Sequence, residues 1–187
     1  MQYKNACRKR AAALKQRQEV LANDIIKHGS KVYIEKMSFK GLQRRSQRTE
    51  RNANGKYKRK KRFGKSISTC APAQFVSILN RKLGYMKTQV MEVDTISFRA
   101  SQYNHVTDDY VKKKLSQRWN NISGHHIQRD LYSAFLLKNS ALNLKQTDRD
   151  KCTKTFETFL INHDLCINKL KHSNRNLLSS FGIKKTA

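Results

Sequence analysis

The chain has 187 residues, enough for a domain with a hydrophobic core, but only 37% of them are apolar and 28% are charged. Its 40 lysines and arginines outnumber its 13 aspartates and glutamates, which gives a formal net charge of +27. This charge repels itself in a compact fold unless a polyanion neutralises it, so nucleic acid is the expected partner. A membrane partner is disfavoured, because no stretch has the length of a spanning helix and the N-terminus lacks the apolar core of a signal peptide.

The four cysteines are scattered through the chain without any C-x-x-C pair; they are Cys7, Cys70, Cys152 and Cys166. They therefore predict neither a disulfide framework nor a zinc site. We expect small thiols in a reducing compartment, and a cytoplasmic protein.

The first elements are a helix and a strand that ends in an acid. Residues 5–27 carry Leu14, Leu21 and Ile25 on one helical face. The segment KVYIEKMSF then predicts a strand that ends at Glu35. For Glu35 alone, an ion pair with a neighbouring lysine, Lys31 or Lys36, is the ordinary interpretation.

Residues 41–65 form a stretch dense in arginine and lysine that cannot bury a core, which predicts a flexible basic arm ordered by phosphates. A disordered connector is the alternative. The candidate phosphate contacts here are Arg44, Arg45, Lys58, Arg59, Lys60, Lys61 and Arg62.

A helix and a second strand follow the arm. Pro72 marks the first turn of the helix, with Ser68 or Thr69 as the candidate cap. The segment QVMEVD predicts the strand. Asp94, at its end, is more typical of a turn cap than of a metal ligand.

The third part of the chain centres on Asp130. Ile127, Leu131, Ala134 and Phe135 recur at helical spacing, which places Asp130 in the first turn of a helix, where the helix dipole favours a carboxylate. Residues 147–187 predict a helical tail, in which His163 belongs to a packed face. A second basic patch precedes Asp130 and consists of Lys112, Lys113, Lys114 and Arg118.

Four short segments in this order resemble the RuvC-like nuclease half of the OrfB/TnpB proteins, which accompany insertion-sequence transposons. The segments are Tyr33-Ile34-Glu35-Lys36, Arg62-Phe63-Gly64-Lys65-Ser66, Ala100-Ser101-Gln102-Tyr103 and Gln128-Arg129-Asp130-Leu131-Tyr132-Ser133-Ala134-Phe135. The resemblance implies an RNA-guided DNA endonuclease of a transposition system, with DNA and a guide RNA as partners. It also implies that Glu35 and Asp130 are catalytic ligands of Mg²⁺, and that the protein works in a prokaryotic cytoplasm or nucleoid.

The chain departs from this family at two places. The family's first catalytic Asp, in a D-x-G turn, has no counterpart, although two-metal chemistry needs about three carboxylates. Residues 99–126 occupy the position of the zinc ribbon without its cysteine pairs, so no zinc is expected and His105, His125 and His126 are weak evidence for a replacement site.

These observations together predict an α/β fold with a partial RNase H-like, RuvC-type sheet and packed long helices. We expect residues 1–187 to be a single segment, truncated at its N-terminus and lacking the guide-RNA-holding domain. The predicted function is nucleic-acid binding with weak or no cleavage by the chain alone. The oligomeric state stays open.

Two alternatives remain open from the sequence. The site could be completed in trans or by another acid such as Asp94, which would make the protein an active endonuclease. Otherwise the chain could be a structural basic RNA-binding protein without nuclease ancestry, in which Glu35 and Asp130 are ordinary salt-bridge partners.

Overall fold

The computed structural model describes residues 2–58, 64–114, 116–174 and 176–184. These residues form a mixed α/β structure, as the sequence predicts at the level of fold class. The chain divides into two compact units. Unit 1 comprises Met1–Val32 and Met37–Met91, and unit 2 comprises Tyr33–Lys36 and Glu92–Ala187.

The helices and strands are named in chain order. The helices are α1 (Gln2–Lys27), α2 (Phe39–Gln43), α3 (Gly64–Cys70), α4 (Pro72–Gly84), α5 (Thr95–Phe98), α6 (Arg129–Lys138) and α7 (Arg149–Lys171), followed by a 3₁₀ turn (Ser179–Phe181). The strands are β1 (Tyr33–Glu35), β2 (Met91–Val93), β3 (Tyr103–Asn104), β4 (Asp109–Tyr110), β5 (Trp119–Ile122) and β6 (His125–Gln128).

Unit 1 is built on the packing of α1 against α4. Ala22 of α1 is fully buried, as are Leu79 and Leu83 of the predicted apolar stripe of α4. Pro72 begins α4 as predicted, but neither Ser68 nor Thr69 caps it, because both lie inside α3. The residue before Pro72 is Ala71, in a left-handed conformation (φ 42°), and Gln18 of α1 donates to its carbonyl at 3.1 Å. A contact distant in sequence thus holds this helix junction.

The described part of the basic arm is exposed, as its composition predicts, but it contains more local structure than a loop. Lys58 N–H donates to the carbonyl of Glu50 at 2.7 Å, which closes a short turn over Gly55 (φ 73°). Inside the turn, Arg51 lies over the ring of Tyr57 at 4.7 Å. The stacked guanidinium and the ion pair of Lys58 with Glu50 (2.9 Å) reduce the repulsion that the net charge predicts.

The first strand pair joins β1 to β2. Met91 N–H donates to Val32 O and Lys36 N–H donates to Val93 O, so the pairing advances in the same direction along both strands and the pair is parallel. Glu35 is the last residue of β1, as predicted.

Two antiparallel pairs lie between Tyr103 and Gln128, across the segment 99–126 that the sequence predicts to lack a zinc ribbon. β3 pairs with β4, and β5 pairs with β6 in a register that sets Trp119 opposite Gln128. Ser123 (φ 50°) and Gly124 (φ 82°) connect β5 to β6, and two residues with positive φ are the geometry of a tight hairpin turn. This hairpin delivers the chain directly into α6.

The core of unit 2 lies under α6 and α7. Tyr132, Phe135 and Leu136 of α6 are buried, and Phe156 and Phe159 of α7 pack against them. The ring centroids of Phe135 and Phe159 are 4.5 Å apart. α7 begins at Arg149, near the start of the predicted helical tail, with Asp148 as its cap. In the part of the chain that the structure describes, no helix combines the length and apolarity needed to cross a bilayer.

Candidate functional site

The two acids predicted from the sequence both lie in unit 2, on two elements that contact each other, β1 and α6. Glu35 is half-buried at the end of β1, and the side chain of Asp130 is 54% exposed in the first turn of α6. Burial raises the pKa of the Glu35 carboxyl, and the negative charge of Asp130 raises it further. The site therefore concentrates negative charge within a strongly basic protein.

Glu35 does not form the ion pair with a neighbouring lysine that would be expected of it. Among the described residues, neither Lys31 nor Lys36 makes a salt bridge with it. A half-buried carboxylate without a cationic partner, facing a second carboxylate, is unfavourable unless a cation offsets the charges.

Asp130 is fixed by the residue before α6. Gln128 is buried, and its Oε1 accepts from the backbone N–H groups of Asp130 (2.7 Å) and Leu131 (2.8 Å). Its Nε2 donates to Asp130 Oδ2 at 3.2 Å. One side chain thus caps the helix and holds the carboxylate.

Arg129 balances part of the charge of Asp130. Its Nε and Nη2 each lie 3.4 Å from Asp130 Oδ1, and its Nη1 donates to the carbonyl of Gln117 at 3.2 Å. The Arg129 side chain is only 11% exposed. Arg129 contacts Oδ1 of Asp130, whereas Oδ2 accepts from Gln128, so the Arg129–Asp130 pair is not bidentate.

The second basic patch belongs to the same unit as the two acids. Lys112 and Lys114 are exposed, and Lys113 and Arg118 are half-buried. Burial, and then the charge of Arg129, lower the pKa of Lys113. Arg118 also accepts a backbone hydrogen bond from Arg129, at 2.9 Å, so the patch continues to the residue beside Asp130.

The basic-arm candidates belong to unit 1. Arg44 and Arg45 are exposed, and Lys58 is exposed but paired with Glu50. Four further candidates lie outside the described residues; they are Arg59, Lys60, Lys61 and Arg62.

Asp94 and the three histidines have structural partners. Asp94 caps α5 by accepting from Ile96 N–H (3.2 Å) and Ser97 Oγ (3.0 Å), as predicted. His105 is buried and its Nδ1 lies 2.7 Å from the hydroxyl of Tyr132, whereas His126 stacks on Trp119 and His125 meets the edge of Phe156.

The donor set at Glu35 and Asp130 fits a hard divalent cation in kind but not in full number. Carboxylate oxygens are the ligands that Mg²⁺ prefers, and the charge of Glu35 lacks a counterion in the described structure. Within residues 2–58, 64–114, 116–174 and 176–184, no group of three or more His, Cys, Asp and Glu side chains could hold a metal.

Sequence reasoning missed Gln128 and Arg129 as parts of this site. Gln is not among the preferred helix caps, so its position before Asp130 gave no signal. The adjacent Arg-Asp pair was visible, but only the fold shows that Arg129 is buried against the carbonyl of Gln117.

No protein-family model, no curated protein and no solved structure matches this chain.

Proposed function

We propose that the chain is a nucleic-acid-binding protein of a transposition system, related to the RuvC-like half of the OrfB/TnpB endonucleases, which holds one Mg²⁺ ion at Glu35 and Asp130. The observation that carries this proposal is the contact of β1, which ends in Glu35, with α6, which carries Asp130 in its first turn. Burial, and then the charge of Asp130, raise the pKa of Glu35, and no salt bridge to Glu35 forms among the described residues. A carboxyl group perturbed in this way is a candidate for a functional site.

The order of elements supports the proposed relationship. A parallel pair of strands, one of which ends in Glu35, precedes a helix whose first turn carries Asp130. The RNase H-like sheet of the family is part of the proposal, since β1 and β2 form a two-stranded sheet in the described residues.

The basic surface supports nucleic acid as the partner. The exposed Lys112 and Lys114 lie in the unit that contains the two acids, and Arg118 connects their segment to Arg129 through the backbone. A phosphodiester held by these cations would be presented to the carboxylate pair. When bound, Mg²⁺ would supply charge for the phosphate oxygens.

The family's first catalytic Asp has no counterpart in this chain, so the proposal includes weak cleavage or none. Two carboxylates hold one cation, whereas the phosphodiester chemistry of the family uses two. We infer DNA, and a guide RNA where one is supplied, as ligands rather than as efficiently cleaved substrates.

The deciding experiment measures Mn²⁺ binding by electron paramagnetic resonance on the full chain and on Asp130→Asn. The matched control is Asp150→Asn, because Asp150 follows Arg149 at the start of α7 in the same way that Asp130 follows Arg129 at the start of α6. We expect D130N to lose at least tenfold in affinity, and D150N to bind as the wild type does. Equal binding by D130N and the wild type would remove the cation site.

A structural RNA-binding protein is the second candidate, and the contact of Arg129 with Asp130 favours it. In that case Asp130 is a salt-bridge partner only. D130N would then lower the thermal stability without changing Mn²⁺ binding, which the same samples report.

A further inference from the structure

We infer that Gln128 is a positioning residue for Asp130, and that the C-terminal turn of the chain holds Gln128 in place. The inference rests on the proposed function, since it concerns how the cation ligand Asp130 is oriented. In this arrangement the C-terminal turn, about fifty residues away from Gln128 in sequence, influences the cation affinity of the site.

Gln128 has more partners than a helix cap needs. Its Oε1 satisfies two N–H groups of α6, which completes the cap. Its Nε2 is then free to bridge two acceptors, Asp130 Oδ2 at 3.2 Å and the carbonyl of Phe181 at 3.3 Å. The amide is thus oriented from both ends, and only its nitrogen end touches the carboxylate.

The backbone of Gln128 is fixed by a buried histidine. Gln128 N–H donates to Nε2 of His163 at 3.0 Å, so that ring nitrogen carries a lone pair and the proton is on Nδ1. His163 Nδ1–H in turn faces Asp164 Oδ1 at 2.8 Å. This arrangement resembles the outer partners that orient metal ligands.

The C-terminal turn is docked by two carbonyls. Phe181 O accepts from Gln128, and Gly182 O accepts from Trp119 Nε1 at 2.7 Å. Trp119 and Gln128 are directly opposite each other in the β5–β6 pair, so the turn bridges both strands.

Gly182 is required for this docking. Its φ is +66°, and a Cβ built there would lie 2.5 Å from Cβ of Arg118. Any larger residue must move the turn away from the strand pair, and Phe181 O would leave Gln128 with it.

The first test separates capping from positioning with Gln128→Asn. Asn is a preferred cap, so its oxygen can still accept from the start of α6, but its nitrogen is one methylene short of Asp130 Oδ2 and Phe181 O. We expect Q128N to melt near the wild type and to bind Mn²⁺ 10–100-fold more weakly, the range typical of lost outer partners of a metal ligand. Wild-type affinity in Q128N would overturn the inference while leaving the proposed function intact.

The second test acts at a distance through Gly182→Ala. The control is Gly55→Ala, because Gly55 has a similar φ of +73° and a Cβ added there would meet no atom within 4 Å. We expect G182A to weaken Mn²⁺ binding at least threefold beyond G55A, with both variants folded by circular dichroism. Identical Mn²⁺ affinities would show that the turn does not hold Gln128.

The two proposals fail differently. If D130N binds Mn²⁺ as well as the wild type does, or if the wild type binds none, the cation site and this inference both fall. If D130N loses binding but Q128N and G182A do not, only the inference falls.

Discussion

Glu35 and Asp130 repel each other where β1 contacts α6: burial of Glu35, and then the charge of Asp130, raise the pKa of the Glu35 carboxyl. No described lysine or arginine forms an ion pair with Glu35 to offset this repulsion. The charged form of Glu35 is therefore disfavoured in the folded protein, and the proposed cation would relieve this.

The first prediction concerns Glu35→Gln in the absence of metal. A raised pKa means that the folded state binds a proton more tightly than the unfolded state does, so the relative stability falls as the pH rises from below 4.5 through the folded pKa. We expect E35Q to lose this dependence and to be more stable than the wild type at pH 7. Each kcal/mol of relieved repulsion raises the melting temperature by about 2–4 °C. Urea unfolding in EDTA between pH 4 and 7 measures the free energy of unfolding of both proteins.

Added Mg²⁺ should reverse this order. A ligand that binds only the folded state stabilises it by mass action, so Mg²⁺ should raise the melting temperature of the wild type but not that of E35Q. Glu92→Gln is the control, because Glu92 is an exposed glutamate on the paired strand β2. A melting temperature of E35Q that rises with Mg²⁺ as much as that of E92Q would exclude Glu35 as a ligand.

Local patterns in the sequence predict the elements that carry the site. The apolar spacing after Ile127 places Asp130 in the first turn of α6, and the alternation of KVYIEK places Glu35 at a strand end. Asp94 as a cap and His163 as a satisfied packing residue are also confirmed. These features depend on residues within one or two turns of chain, which periodicity captures.

The features that sequence patterns missed depend on distant contacts. Gln128 meets Phe181, and Ala71 takes a left-handed conformation beside Gln18, so neither could be inferred from its neighbours. The β5–β6 hairpin is different, because its Ser123-Gly124 turn is a signal that the sequence displays.

The second prediction concerns the patch beside the site. Lys112→Ala with Lys114→Ala removes two exposed charges from the unit that carries the two carboxylates, and each lost phosphate contact lowers the slope of log affinity against log salt by about 1. We expect weaker binding to any DNA or RNA sequence, because phosphate contacts carry no sequence information. Fluorescence anisotropy with a labelled oligonucleotide over a salt series measures the slope.

Lys154→Ala with Lys169→Ala provides the matched control for this patch. Both lysines are exposed on α7 of the same unit, so the double variant removes the same net charge. If the two double variants lower the slope equally, only the overall charge matters and the patch has no special role. Binding that hardly changes with salt in the wild type would contradict the electrostatic proposal altogether.

The third prediction separates Asp94 from the carboxylate site. Asp94 accepts from Ile96 N–H and Ser97 Oγ, and these hydrogen bonds lower the pKa of its carboxyl. Asp94→Ala should lower the stability through the lost cap, whereas Asp94→Asn should retain most of it. Both variants should bind Mn²⁺ as the wild type does. A loss of Mn²⁺ affinity in D94N would instead make Asp94 the third ligand.

The fourth prediction concerns His105 in the core of unit 2. Its backbone N–H donates to the hydroxyl of Tyr132, and its ring Nδ1 lies 2.7 Å from the same hydroxyl. Burial, and then the charge of Arg149, lower the pKa of His105. Arg149 is held there by its own bond to the carbonyl of His105, at 2.8 Å.

A lowered histidine pKa makes the protein less stable in acid. As the pH falls below 6.5, the histidine pKa of the unfolded chain, the unfolded chain binds a proton at His105 more readily than the folded chain does. Stability therefore falls as the pH decreases, by at most about 1.4 kcal/mol per pH unit for this group. His105→Asn removes the titrating ring and keeps an acceptor near the Tyr132 hydroxyl. We expect H105N to be less stable than the wild type at pH 7, through the cavity, yet to show a shallower decline from pH 6.5 to 5 in urea unfolding. His125→Asn, at an exposed histidine, should decline as the wild type does, and an equally steep decline in H105N would show that His105 does not set the acid sensitivity of the fold.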